Sequence, residues 1–144
     1  MYKSILVPTD GSEITAKALG HAIGLARLTG ARIVTLAVKE PFPYSAVSEM
    51  QPTPLQEFFD AQERVAVRNL TAVKDACAAA GVAVDAASVE AVHPWEAILD
   101  HAKASGCDLV VMASHGRRGI AALLLGSETQ KVLTHSSIPV LVVR

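Results

Sequence analysis

The feature that most constrains this chain is a regular alternation of two kinds of segment. Short apolar runs rich in β-branched residues, SILVPT (residues 4–9), ARIVTLAV (31–38), DLVVMAS (108–114) and IPVLVV (138–143), are separated by longer stretches. Such runs suit strands covered on both faces, as in a parallel sheet. VAVDAASVEAV (82–92) is a fifth run, more Ala-rich and only loosely alternating, and it reads as an edge strand. The stretches between have helical periodicity. Residues 12–29 place Ile14, Ala18, Leu19, Ala22, Ile23 and Ala26 on one face, with Gly30 as a stop. Residues 55–80 do the same with Leu55, Phe58, Phe59, Val65, Leu70, Val73 and Cys77 before Gly81. Thr53 is the expected N-cap of that helix, with Pro54 at its first position and Gln56 completing a capping box. Residues 94–105, opened by Pro94 and closed by Gly106, and residues 127–135 supply two more helices. The order β-α-β-α-β-α-β-α-β predicts one doubly wound, Rossmann-like α/β domain over residues 1–144. Its five-stranded parallel sheet should run in the order 3-2-1-4-5 with helices on both faces.

A chain of 144 residues is long enough for a core of its own. Apolar residues make up 51% but aromatics only 4%, so that core is built from Val, Ile, Leu and Ala. A formal charge of −1 and the lack of a long Lys/Arg run argue against a nucleic-acid or membrane-surface partner. Cys77 and Cys107 have no metal-ligand spacing and read as buried thiols in a reducing compartment. The opening MYKSILVPTD has too short an apolar run for a signal peptide. The longest uninterrupted apolar run, IAALLL (120–125), is far below the ~20 residues that span a bilayer. A soluble cytoplasmic protein is expected. Residues 39–54 carry four prolines in sixteen residues and fit no element. They read as a long loop, either a lid or binding loop or a surface insertion.

Open parallel sheets bind ligands at the carboxyl ends of their strands, where strand order reverses. In the expected order, two polar, Gly-containing turns meet there. They are PTDGS (8–12) after the first strand and ASHGRRGIAALLLGSET (113–129) around the end of the fourth. Gly116 and Gly119 let a backbone approach closely. The helix starting near Gly126 and Ser127 offers first-turn N–H groups without partners and the positive end of a helix dipole. Gly126 has no Cβ to block approach, Ser127 and Thr129 add hydroxyls, and Arg117 and Arg118 add charge. That is the composition of a phosphate site. A plainer reading stays open: Ser127 and Gln130 form a capping box, and the glycines only shape a turn. Asp10 is likewise either a ligand or a helix cap paired with Glu13. The stretch is neither a Walker A loop nor a dinucleotide fingerprint, because no Gly-Lys-Ser/Thr occurs and the glycines follow the fourth strand.

These two turns carry a resemblance. ASHGRRGIAALLLGSETQKVLTHSSIPVLVV resembles the C-terminal signature of the universal stress protein family, a Gly, two residues, a Gly, nine residues, then Gly-Ser/Thr. ILVPTDGS is similar to the family's opening strand and loop, and the likeness extends over the whole chain in length and element order. It implies the ATP-binding branch, with ADP or AMP as related ligands and Mg²⁺ admitted through the phosphates. Pro8, Thr9 and Asp10 would lie on the adenosine side, Asp10 meeting ribose or phosphate oxygens. Val38 and Met112 would line the adenine pocket. His115 and Gly116 would approach ribose or phosphate, with Arg117 beside them, and Gly126, Ser127, Glu128 and Thr129 would hold the phosphates. Ala113 stands where the family has its first Gly, and a methyl there would crowd a ligand running along the backbone.

The function implied is nucleotide-dependent sensing or signalling in a stress response. Two alternatives remain beside it. One is a slow ATP hydrolase at the same site, with Asp10 or His115 as base. The other is a dimeric interaction module that holds no nucleotide. No catalytic residue and no protein-built metal site is assigned. Ser114, next to His115, should point away from it on a strand end, so no nucleophile–base pair is expected. Trp95 reads as packing, and His21, His101 and His135 as surface or interface residues. The last strand would leave an apolar sheet edge, which a two-fold homodimer pairing residues 138–143 would cover.

Overall fold

The computed structural model describes residues 1–43, 55–116 and 125–144. In chain order it contains β1 (Ser4–Pro8), α1 (Glu13–Thr29), β2 (Arg32–Lys39), α2 (Leu55–Ala79), β3 (Val84–Glu90), α3 (Pro94–Ala104), β4 (Leu109–Ala113), α4 (Ser127–His135) and β5 (Val140–Val143). Every strand pair is parallel and the order is β3-β2-β1-β4-β5, as the alternation predicts. The Ala-rich strand is the half-buried edge β3, and β5 forms the other edge.

The continuous apolar runs follow from burial on both faces. Ile5, Leu6 and Val7 of β1 are all fully buried. Ile5 and Val7 pack on Ala18, Ala22 and Ala26 of α1 and on Val73 and Cys77 of α2. Leu6 points the other way, onto Ile98 and Ala102 of α3 and Val132 of α4. The same period of two divides Ile33 from Val34 and Leu36 in β2, and Val111 from Val110 and Met112 in β4. The amino end of β1 is clasped by β4, where the Asp108 carboxylate accepts the backbone N–H groups of Lys3 (2.9 Å) and Ser4 (3.1 Å).

The core is aliphatic, as composition predicts. The three phenylalanines stand apart from it, half-buried in a cluster of their own. Phe42 meets Phe58 edge-on with centroids 5.2 Å apart, and Phe58 meets Phe59 at 5.9 Å. Phe58 and Phe59 therefore anchor the start of α2 to the chain leaving β2. The expected cap residues Thr53 and Pro54 lie outside the described residues. Gln56 reaches forward, its amide donating to Asp60 Oδ1 at 2.9 Å. Of the expected loop, Lys39 is the last residue of β2 and residues 44–54 lie outside the described residues.

Both cysteines are buried free thiols. Burial pushes Cys77 and Cys107 up from the ordinary 9.0; at Cys107 a hydrogen bond with Ser4 and the Arg32 charge pull partly back. The native state thus keeps protons that the unfolded chain loses above pH 9. Stability from this source is complete below that pH and falls as pH rises towards the raised native values. We expect Ellman's reagent at pH 8 to titrate both thiols only after unfolding, and the urea midpoint to drop above about pH 9. Rapid labelling of the native protein would contradict this.

Candidate functional site

β1 and β4 are neighbours in the sheet, but their crossovers leave in opposite directions, to β2 and to β5. Their carboxyl-end loops therefore flank the crevice that such sheets use for ligands. On the β1 side, Pro8 still pairs with Leu36, and the Thr9 N–H donates to the Leu36 carbonyl at 3.0 Å. The chain then turns. Asp10 Oδ1 accepts the Ser12 N–H at 2.9 Å and lies 3.1 Å from the Thr15 hydroxyl. Ser12, not Asp10, is the N-cap of α1, its hydroxyl accepting the Thr15 N–H. Asp10 instead makes a turn two residues earlier, so the cap reading of this residue is corrected. Gly11 sits at φ +79°, and a Cβ there would run into the carboxamide of Asn69, a buried residue of α2. Only a glycine satisfies both conditions.

On the β4 side, the Ala113 methyl is buried in the core beneath α1. The methyl at this departure from the family pattern therefore faces core side chains. Ser114 and His115 form a bend instead of continuing the strand. Their side chains therefore converge, with Ser114 Oγ 3.3 Å from His115 Nδ1. The expected divergence is overturned by that bend. A Cβ on Gly116 would lie 2.9 Å from Asp10 Oδ2, so the two loops touch at this point. The N–H of Gly126 donates to the Ser114 carbonyl at 2.7 Å. A Cβ on Gly126 would meet His115 Cα at 3.1 Å. Glycine at 126 thus serves the docking of α4 onto the end of β4, and the space it leaves is filled by protein backbone, not open to a ligand.

α4 begins one residue earlier than a Ser127–Gln130 capping box requires. Gly126 is its N-cap, without a side-chain bond, and Ser127 is its first helical residue. Gln130 donates to the Leu125 carbonyl at 2.9 Å. The Ser127–Gln130 box is therefore not formed, and Ser127 is exposed. The other expected phosphate ligands are differently employed. The Glu128 carboxylate accepts the Trp95 backbone N–H at 2.8 Å, capping α3, whose own N-cap His93 provides no side-chain bond. The buried Thr129 hydroxyl donates to the Ala113 carbonyl at 2.9 Å. Both side chains face away from the crevice because they tie α4 to α3 and to β4.

Val38 and Met112 belong to one apolar cluster on the α3 and α4 side of the sheet, Met112 buried and Val38 half-buried. Trp95 lies in the same cluster and stacks on His135 at 4.4 Å, the packing role expected of it. Arg117, with Arg118 and Gly119, lies outside the described residues. Among the described residues no three His, Cys, Asp or Glu side chains gather as a metal site. No helix among them is long and apolar enough to cross a membrane. A groove of about 450 Å³ between the end of β3 and α3 contains none of the expected site residues.

The structure adds Gly11, Thr15, Asn69 and Ser114 to this neighbourhood. Thr15 follows Asp10 by five residues and sits on the first turn of α1, a signal within reach of the sequence. Asn69 comes from a distant helix, and no local pattern announces it.

The universal stress protein family model matches residues 1–144. The chain belongs to the universal stress protein family. A family member of Thermus aquaticus is 33% identical over 144 residues, covering 100% of both chains. The structure of a hypothetical protein of Methanocaldococcus jannaschii superposes with a TM-score of 0.83 at 32% identity, over 99% of this chain and 96% of that one. A universal stress protein in complex with cAMP shares the fold, with a TM-score of 0.75 and 24% identity over 99% of this chain and 97% of that one. The family's long-spaced signature here runs from Gly116, where the two loops touch, to Gly126 and Ser127, where α4 begins.

The Glu128 contact is open to test. Glu128→Ala should quicken hydrogen exchange at the Trp95 amide and lower stability by about 1 kcal/mol, the usual loss of a helix cap. An unchanged Trp95 exchange rate would refute the capping assignment.

Proposed function

We propose that this family member binds an adenine nucleotide, ATP foremost with ADP or AMP as alternatives, at the crevice between the β1 and β4 loops. The observation that carries this reading is the amino end of α4. It has no side-chain cap, and its own first-turn acid, Glu128, is turned to α3. The backbone N–H groups there retain their preference for an anion. Across the crevice, the half-buried Asp10 carboxylate is an acceptor suited to ribose hydroxyls.

In this reading Pro8, Thr9 and Asp10 hold the adenosine side, and Val38 and Met112 provide apolar surface for adenine. His115 and Gly116 lie along the ribose and phosphates, with Arg117 adding charge. The amides of Ser127, Glu128 and Thr129 receive phosphate oxygens, and Gly126, whose own N–H bonds the Ser114 carbonyl, sets where the helix begins. Mg²⁺ would enter with the phosphates and use the Asp10 carboxylate. The nucleotide would favour one conformation or partner surface, making the protein a cytoplasmic sensor in a stress response. The complex of a related fold with cAMP supports an adenine nucleotide as the ligand.

Denaturing the purified protein should release adenine nucleotide, or the protein should bind added ATP. No release and no binding at millimolar ATP would overturn the proposal. Because Gly126 is packed against backbone, its substitution is a poor probe, and Ser127→Asp is a better one. An exposed acid at the first helical position favours the helix by about 0.3–1 kcal/mol. The same charge should weaken ATP binding about tenfold or more by repelling phosphate. Equal affinity would place the phosphates elsewhere.

The edge strand β5 supports a second part of the proposal, a homodimer paired through residues 138–143. Its outer edge has no strand neighbour among the described residues, and Leu141 is exposed. Leu141→Arg should convert the protein to a monomer in sedimentation, and an unchanged assembly would exclude this edge.

A further inference from the structure

The Asp10 carboxylate lies where the two loops of the crevice meet, so its orientation decides what the crevice can recognise. Oδ1 accepts the Ser12 N–H at 2.9 Å, and Oδ2 faces Gly116 of the β4 loop. The second group on Oδ1 is the hydroxyl of Thr15, 3.1 Å away. Both this carboxylate oxygen and the Ser12 carbonyl only accept, so the single hydroxyl hydrogen of Thr15 is shared between them. The hydroxyl sits within a short chain: Ser12 Oγ donates to Thr15 Oγ1 at 3.3 Å, and Thr15 Oγ1 also lies 2.9 Å from the Ser12 carbonyl. Thr15 is buried, and its backbone is held by the first turn of α1. Water is therefore a poor substitute for its hydroxyl. Behind the loop, the Asn69 carboxamide packs against Gly11.

We infer that Thr15 is the positioning residue of the ligand crevice: its buried hydroxyl fixes one oxygen of Asp10 so that the other is presented at the β4 loop. Thr15 does not touch the ligand. It removes a rotation that Asp10 would otherwise lose on binding, which is a gain by preorganisation. The consequence is selectivity for a ligand that offers hydroxyl donors to the carboxylate side and an anion to the α4 side. The inference rests on the nucleotide reading above for its effect on affinity, but not for the Thr15–Asp10 bond itself.

Two measurements separate these parts. The first is ATP binding by calorimetry to the wild type, Thr15→Val, Thr15→Ser and Asp10→Ala, and to Thr15→Val and Thr15→Ala each combined with Asp10→Ala. Thr15→Val should bind about tenfold more weakly, and Thr15→Ser within about twofold of wild type. In the Asp10→Ala background, substituting Thr15 should cause no further loss, because the two residues act as one unit. A full additional loss in that background, or equal damage by Ser and Val, would show a purely structural role and overturn the inference. Thr15→Ala provides the same comparison if Thr15→Val does not fold. The second measurement needs no ligand: NMR titration of the Asp10 side-chain carboxyl. Loss of a donor to the ionised form should raise its midpoint in Thr15→Val but not in Thr15→Ser. If the wild type binds no nucleotide but the midpoint moves, the functional reading fails while the Thr15–Asp10 bond stands. If the midpoint does not move, the bond is refuted whatever the protein binds.

Discussion

The structure depends on the burial of β1 on both faces between β2 and β4. Each of Ile5, Leu6 and Val7 is fully enclosed, and each such side chain contributes about 1.5–3 kcal/mol. Their alternation obliges helices to lie on both sides, α1 and α2 on one and α3 and α4 on the other. Once β2 lies on one flank of β1 and β4 on the other, the chain must leave these two strand ends in opposite directions. A crevice opens between the loops as a result of packing. The polar residues of the two turns meet there, with Gly116 against the Asp10 carboxylate.

Within that crevice the polar groups are divided by charge. A carboxylate, Asp10, is held on the β1 side by the Ser12 amide and the Thr15 hydroxyl. A helix amino end with no side-chain cap stands on the β4 side. The acid that would most naturally neutralise that end, Glu128, is spent on the start of α3. Two helix starts and one carboxylate leave one helix start unserved, and it is the one beside the crevice. The chain as a whole is close to neutral. Recognition of the proposed nucleotide would rest on short-range dipoles and hydrogen bonds, which salt screens less than a long-range field.

Much of this was legible in the sequence. Period-two and period-3.6 patterns identified the strands and helices, and the parallel order followed from their alternation. The two Gly-containing turns were recognisable as neighbours before any coordinates. The errors share one cause. A capping box at Ser127 needs that residue to be the N-cap, and a helix start displaced by one residue cancels it. Divergent side chains at Ser114 and His115 need an extended strand, and a bend after Ala113 reverses the outcome. Phe58 and Phe59 match a buried helical face by spacing. They pack instead with Phe42, half-buried and outside the aliphatic clusters.

The sequence by itself determined the fold class, the strand order, the aliphatic core and the pair of turns at the strand ends. Each is encoded in local periodicity, which a single chain displays openly. Tertiary structure alone decided where the side chains of those turns point. Ala113 turns into the core, Thr129 binds the Ala113 carbonyl, Glu128 crosses to Trp95, and Asn69 closes on Gly11. These are contacts between residues far apart in the chain. Their directions are set by how one helix seats on a sheet, to within a fraction of a turn, and periodicity carries no record of that angle.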